Sequence, residues 1–327
     1  MPVERDPRAR DPAQAAFAPD DSRQADPGQR SNNVDRVVLT ALYRRDTTHT
    51  LIVLVSQVAA VVVVAIAAEA IDAAWATCLA ILIIGTRQYG LGEVLVHEAS
   101  HHNLSSHRWI NTVIGTALSW PFFFTFTGYR RFHLQHHQVP LDDPRNSIIE
   151  EYQDWRLPLS AEAVSRRRLI WLIFLRPLTG VIALYHLYGI ASDAYYDADL
   201  KENTCMWLFW AVMLALCWHL GVMEGLLLYW LAPLFLVFAT LNYWSEVGDH
   251  YRTSDLLTRS NIGPGWNILI AGNVGYHVVH HKYPRIPWFR LKAAHALLGG
   301  SLPGQTSTSL FAAFSQMRKG HQHVVES

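Results

Sequence analysis

The chain has 327 residues, half of them hydrophobic and only 17% charged, and its 27 basic and 27 acidic side chains cancel to a net charge of zero. That balance points to neither a nucleic-acid partner nor an acidic one, and the apolar residues come in blocks rather than scattered. Cys78, Cys205 and Cys217 sit in apolar runs without metal-ligand spacing, so they read as small hydrophobes and define no disulfide framework.

Residues 1–35, rich in Asp, Arg, Pro, Ala and Gln, read as a disordered tail. No apolar core of a secretory signal occurs before Leu51, and residues 36–327 read as one domain. Residues 51–68, interrupted only by Ser56 and Gln57, form the first expected membrane span. After a turn at Glu69 to Asp72, residues 73–96 form the second, which carries Arg87, Gln88 and Glu93. Polar groups at that depth face protein or cavity: they form an internal network or hold a polar group of a small substrate.

That span runs into His97-Glu-Ala-Ser-His101-His102. Trp109 to Phe126 is apolar but interrupted by Asn111, Trp120-Pro121 and Thr125, and is expected to be embedded without crossing. Its aromatics, with Tyr129 and Tyr276, suit an apolar tunnel or an interfacial belt equally. Then comes His133-Leu-Gln-His136-His137. Residues 140–168 belong in water, and Asp142, Asp143 and Arg145 either orient ring N–H groups or end a helix. Residues 169–190, split by Arg176-Pro177, read as a surface helix pair. Residues 205–222 and 225–244 form a second hairpin around Met223-Glu224. Neither tight turn carries Lys or Arg, whereas Arg44, Arg45, Arg166 to Arg168 and Lys201 flank the spans, so the termini and all histidine clusters are expected to be cytoplasmic. The expected fold is an all-α integral membrane protein with four transmembrane helices in two hairpins, capped by a cytoplasmic helical domain.

On a helix, His277, His280 and His281 fall at about 0°, −60° and +40°, and His133, His136 and His137 repeat that spacing. In the first cluster His102 lies at about 140° from His97, so His97, His101 and His102 are expected to divide between different metals or shells. His250 follows the last span, with Glu246 one turn earlier on the same face. Ten of seventeen histidines thus fall in four short stretches at one membrane surface, more than one ion can take, and two metals are implied. Many imidazoles, at most one carboxylate and no thiolate suit a redox pair, and iron is the expected metal. Asn273, one turn before His277, is placed to hydrogen-bond a ligand or its water. His49, His107, His186, His219, His295, His321 and His323 read as ordinary polar groups.

The three clusters, with Arg87-Gln88 ahead of the first and the run from Asn273 to Pro287, resemble the histidine boxes of the membrane fatty acid desaturase and hydroxylase superfamily, the last run especially that of sphingolipid desaturases. The resemblance covers roughly residues 50–300. It implies a di-iron centre that uses O2 to abstract hydrogen from an unactivated C–H bond of a lipid acyl chain or other aliphatic substrate, leaving a double bond or a hydroxyl. It also implies a further histidine ligand, matched by His250, and an Asn holding a metal-bound water at the position of Glu246. With no fused haem domain, electrons are expected from a separate ferredoxin or cytochrome, with Arg130, Arg131 and Arg166 to Arg168 either docking it or setting orientation. A desaturase is the expected function, a hydroxylase the nearest alternative and a metal transporter or sensor a remote one. Substrate identity is not legible.

Overall fold

The computed structural model describes residues 36–139, 146–159, 164–192, 199–253, 258–263 and 273–319. The expected tail, Asp142, Asp143, Arg145, His321 and His323 lie outside the described residues. Helix α1 (Arg36–Leu42) leads into α2 (Thr47–Ile71), which starts where Asp46 accepts a hydrogen bond from the His49 N–H at 2.9 Å and ends at Asp72 in the left-handed region, φ 49°. Between those caps, from Leu51, runs a Val/Ala/Ile-rich sequence interrupted only by Ser56 and Gln57 before Glu69; Val61, Val64 and Ala68 pack inward, while Ile52, Val55, Val63 and Ile66 on the rest of the surface are all exposed. An apolar helix this bare is made for a hydrocarbon solvent.

Helix α3 (Ala74–Ser100) packs antiparallel to it and carries a π-helical segment, Tyr89–Leu95, just before the first histidine cluster. A π turn re-aims the side chains that follow it. At the other end of the chain, α10 (Met223–His250) contains two π segments, Leu227–Leu231 and Leu234–Phe238, on either side of Pro233, whose missing N–H breaks the regular ladder. Helices α3 and α10 meet at Gly85, where an added Cβ would lie 2.3 Å from Val237 Cβ. Gly85→Val is therefore expected to cost about 1–3 kcal/mol by overpacking, read as a lower melting temperature of the detergent-solubilised protein; an unchanged value would mean the two helices are not in close contact.

Among the described residues three helical stretches are long and apolar enough to cross a membrane, Leu39–Ile71, Ala74–Ser100 and Met223–His250. The remaining expected span falls on α9 (Leu200–His219), whose first turn is polar at Lys201, Glu202 and Asn203. Its turn into α10 lies at Leu220 to Val222, not Met223-Glu224, because Gly221 at φ 70° ends the helix earlier. Glu202 has a specific partner. Its carboxylate accepts from the backbone N–H groups of Phe126 (2.7 Å) and Thr127 (3.1 Å) at the start of α5 (Phe126–Gln138), where an anion also suits the helix dipole. On the other hairpin, Arg45 Nε donates to the His102 carbonyl at 2.6 Å and Thr50 Oγ1 to the Leu104 carbonyl at 3.0 Å. The start of α2 thus meets the end of α3, and the start of α9 meets the start of α5, the helix that carries the second histidine cluster.

Between the hairpins, α4 (Arg108–Ser119) has twelve residues, about 18 Å, and stops at a 3₁₀ turn over Trp120–Phe122, too short to cross. After α6 (Ser147–Asp154), α7 (Arg166–Ile170) continues through a π segment to Leu175, breaks at Arg176-Pro177 as expected, and resumes as α8 (Val181–Ser192). Arg176 does not face solvent, since its Nη2 donates to the Tyr243 hydroxyl at 3.0 Å. Helices α11 (His277–Lys282), α12 (Trp288–Leu298) and α13 (Leu310–Lys319) follow. The fold is mostly helical, and the expectation of an all-α chain needs one correction. Strands β1 (Arg259–Asn261) and β2 (Gln305–Ser307) pair in parallel, Ser260 opposite Thr306. Three polar residues carry no alternation, so neither strand has a sequence signal.

The main apolar core gathers Tyr89, Phe122, Phe124, Phe126, Tyr129, Tyr276 and Trp288 around α3 and α5, and a second gathers Tyr152, Trp155, Leu169, Tyr243 and Met317 around α10. The aromatics read as tunnel or belt thus belong largely to a packed core. The histidines lie between these cores.

Candidate metal centre

Nine of the ten candidate imidazoles converge, in two groups. Group A holds His97, His101, His133, His137 and His280, and group B holds His136, His250, His277 and His281, with the candidate donor atoms of each group within 4.8 Å of one another. The division follows from helix geometry in a way the one-face projection conceals. On α5 the i, i+4 pair His133 and His137 goes to A while His136, on the other edge of the arc, goes to B. On α11 the assignment is reversed: His277 and His281 go to B and His280 to A. The two helices exchange one donor each.

Within the first cluster His97 and His101 sit together in A, one turn apart, and His102 joins neither group. Helix α3 stops at Ser100, and His102 adopts a left-handed conformation, φ 58°, that carries its ring off the arc. Its Nε2 lies 3.4 Å from Arg130 Nη2, and burial followed by Arg130, Arg108, Arg45 and Arg285 pushes it down to about 4. An imidazole facing a guanidinium is offering its lone pair to an N–H.

Within the groups the Nε2 atoms approach closely. The separations are 3.0 Å for His97–His280, 2.8 Å for His101–His133, 3.0 Å for His133–His137, 3.2 Å for His136–His281 and 2.7 Å for His250–His277. A metal with bonds of about 2.1 Å to nitrogen sets neighbouring donors about 3.0 Å apart at right angles and about 3.4 Å apart in a tetrahedron. The donor sets fit an ion. A network of hydrogen bonds does not fit as well, since a neutral ring has one N–H for all its partners. Nor does charging the rings, because burial and then, for most of them, neighbouring imidazoles hold His101, His133, His137, His277, His280 and His281 well below the usual range, and burial pushes His136 down to about 4.

That depression has a testable sign. Between pH 6.5 and about 4 the unfolded chain binds a proton at His136 that the folded, metal-free protein refuses, so stability falls as pH falls through this window. One such shift is on the order of 3 kcal/mol. The carboxyl of Glu151, pushed well above its ordinary range by burial and then by Glu246 and Glu93, works in the opposite sense. Thermal unfolding of chelator-stripped protein is expected to show a melting temperature that drops from pH 7 to pH 5; a flat profile would mean the rings are hydrated.

Other polar groups hold the rings from behind. Asn146, fully buried, caps α6 through the Ile148 N–H (3.1 Å), donates to the Val139 carbonyl (2.6 Å) and places Oδ1 3.4 Å from His136 Nδ1. Glu98 Oε1 lies 3.7 Å from His97 Nδ1 while Oε2 accepts from the Trp288 N–H at 3.1 Å. Asp249 Oδ2 lies 3.6 Å from His277 Nδ1. Carboxylates behind metal-bound imidazoles fix which nitrogen carries the proton. Sequence reading assigned none of these three. Asp249 and Glu98 each adjoin a candidate ligand, which was the available signal, whereas Asn146 had none beyond its capping propensity.

The remaining candidates are placed as follows. Glu246 belongs to neither group; its carbonyl accepts from the Tyr152 hydroxyl at 3.2 Å, and its carboxyl lies within electrostatic range of Glu93 and Glu151. Gln88 donates to the Trp230 carbonyl at 2.8 Å, and Arg87 reaches Thr86 Oγ1 at 3.4 Å. Asn273 sits at φ 62° and its carbonyl accepts from the Tyr276 N–H at 3.2 Å, closing the turn into α11. Asn is among the few residues that tolerate that conformation.

Long apolar helices beside two polyhistidine groups, each of which could hold a metal ion, mark a membrane protein with a candidate metal centre. A family model for fatty acid desaturases matches residues 73–309, and the chain belongs to that family. Similar proteins include the dihydrorhizobitoxine desaturase of Bradyrhizobium elkanii, 26% identical over 244 residues with 68% of each chain covered, and a probable fatty acid desaturase of Sorghum bicolor, 28% identical over 321 residues (86% of this chain, 81% of that one). A chloroplastic sn-2 acyl-lipid omega-3 desaturase (ferredoxin) of Helianthus annuus is 25% identical over 243 residues, 63% of this chain and about half (53%) of its own length. Desaturases are oxidoreductases, and this chain takes its place among them.

Proposed function

We propose that the chain is an integral membrane desaturase in which groups A and B each hold one iron, with four spans in two hairpins and the centre and both termini on the cytoplasmic side. The observation that carries this reading is the partition of nine imidazoles into two sets of metal-coordinating dimensions. Bound there, two irons supply the activation of O2 needed to remove hydrogen from an unactivated C–H bond. Forming one C=C bond takes two hydrogens from the substrate, and reducing O2 fully to two waters needs two further electrons and two protons, so a separate donor is required. A relative's printed name specifies ferredoxin and an acyl lipid, which supports a donor of ferredoxin or cytochrome type and a lipid or other aliphatic substrate here. The fourth span is α9, which has the length of a hydrocarbon core at twenty residues and turns Leu208, Val212 and Trp218 outward. The rings lie at and beyond the helix ends rather than at mid-membrane, unlike a transporter's sites.

The experiment is expression with a reductase system and untargeted mass spectrometry, together with metal analysis. Products lighter by two hydrogens, with about two irons per chain, are expected. A gain of one oxygen would reassign the chain as a hydroxylase, and metal flux without oxygen chemistry would overturn the enzymatic reading.

A further inference from the structure

Strand β1 is three residues long, yet each residue grips a different part of group B. Arg259 is fully buried; Nη1 donates to the Gly248 carbonyl at 2.6 Å and Nη2 to the Tyr251 carbonyl at 3.3 Å, holding the last turn of α10 on either side of His250. Ser260 Oγ accepts from the Val278 N–H at 3.0 Å, at the first turn of α11. Asn261, 2% exposed, donates Nδ2 to Asp249 Oδ1 at 2.7 Å, and Asp249 turns its other oxygen toward His277 Nδ1. The amide orientation is fixed chemically, because a carboxylate oxygen can only accept and the amide oxygen would repel it. A proton on His277 Nδ1 is then favoured by the carboxylate, and the lone pair is left on Nε2, the atom 2.7 Å from His250 Nε2. Among the described residues group A has no such strand behind it.

We propose that β1 is the positioning element of group B, in which Asn261 fixes the carboxylate of Asp249 and Asp249 fixes His277 in the tautomer that presents Nε2 to the metal. This rests on the two-metal reading above and adds to it that the two sites are supported unequally, so that B can be weakened while A is left alone.

The test is titration of full-length, detergent-solubilised, metal-stripped protein with Co²⁺ alone, followed by absorbance and chelator competition. The wild type is expected to take up two ions. Asn261→Ala and the nearly isosteric Asp249→Asn are each expected to lower the affinity of one ion about 10–100-fold and to alter its absorption band, leaving the other ion unchanged. In an Asp249→Asn background, where the ion still binds, Asn261→Ala is expected to have no further effect, which a merely structural role would not produce. Wild-type affinity for both ions in both variants would overturn the proposal, as would equal weakening of both ions, which would make β1 a general prop. Failure of the wild type itself to bind two ions is a different result, and would sink the two-metal reading instead.

Discussion

Alanine at His277 is expected to abolish turnover and to reduce bound iron from two ions per chain toward one, while alanine at His102 leaves both ions in place. Group B has four imidazoles, so losing His277 leaves three, and the ring removed is the one oriented by Asp249. Group A has five, so His280→Ala still leaves four; it is expected to retain most of its iron yet lose turnover, because the remaining donors no longer enclose the ion. A loss of about 10³-fold in turnover corresponds to about 4 kcal/mol of transition-state stabilisation, a modest demand for a residue that holds a redox metal. Iron analysis and product formation on the three variants decide the matter together. Loss of an ion from His102→Ala would restore the division suggested by the sequence and contradict the left-handed turn that removes that ring.

Arg259→Leu is expected to be the most damaging change outside the histidines. The guanidinium serves the buried backbone carbonyls of Gly248 and Tyr251 and the side-chain oxygens of the half-buried Gln316 (2.8 Å) and Gln305 (3.1 Å). Removing it leaves several acceptors without a donor, each costing about 1–3 kcal/mol, so a total loss of about 3–5 kcal/mol is conservative. At about 2–4 °C per kcal/mol for a chain of this size, the melting temperature in detergent should fall by about 10 °C or more. A fall of only a degree or two would show that water reaches the strand and takes over those bonds.

Three of the four expected spans were legible because their signal is local. The bare apolar run of α2 and the polar break at Arg176-Pro177 can be read residue by residue. Helix α9 shows where this fails: nothing local to Glu202, ahead of the expected span, marks it as the cap of α5, a partner 75 or more positions distant. The histidines divide along the same line. That they gather was readable from spacing on one face. How they sort was not, since His136 and His137 stand at opposite edges of one arc and only the opposing helix decides which ring on it completes each group. The projection set His102 apart from His97 and His101, but not where its ring goes, which the left-handed turn after Ser100 decides by bringing it to Arg130. Asn261 had no signal at all, since nothing in Arg-Ser-Asn announces a strand.

The exchange of one donor between α5 and α11 carries a mechanical consequence. His136 and His137 are consecutive residues whose rings belong to different groups, as are His280 and His281. The interval between the two groups is therefore gauged by single peptide units, which do not stretch. Swelling or thinning of the surrounding bilayer can tilt the spans, but it cannot pull one group from the other without unwinding a helix, so the two proposed sites would ride through such strain as a single rivet.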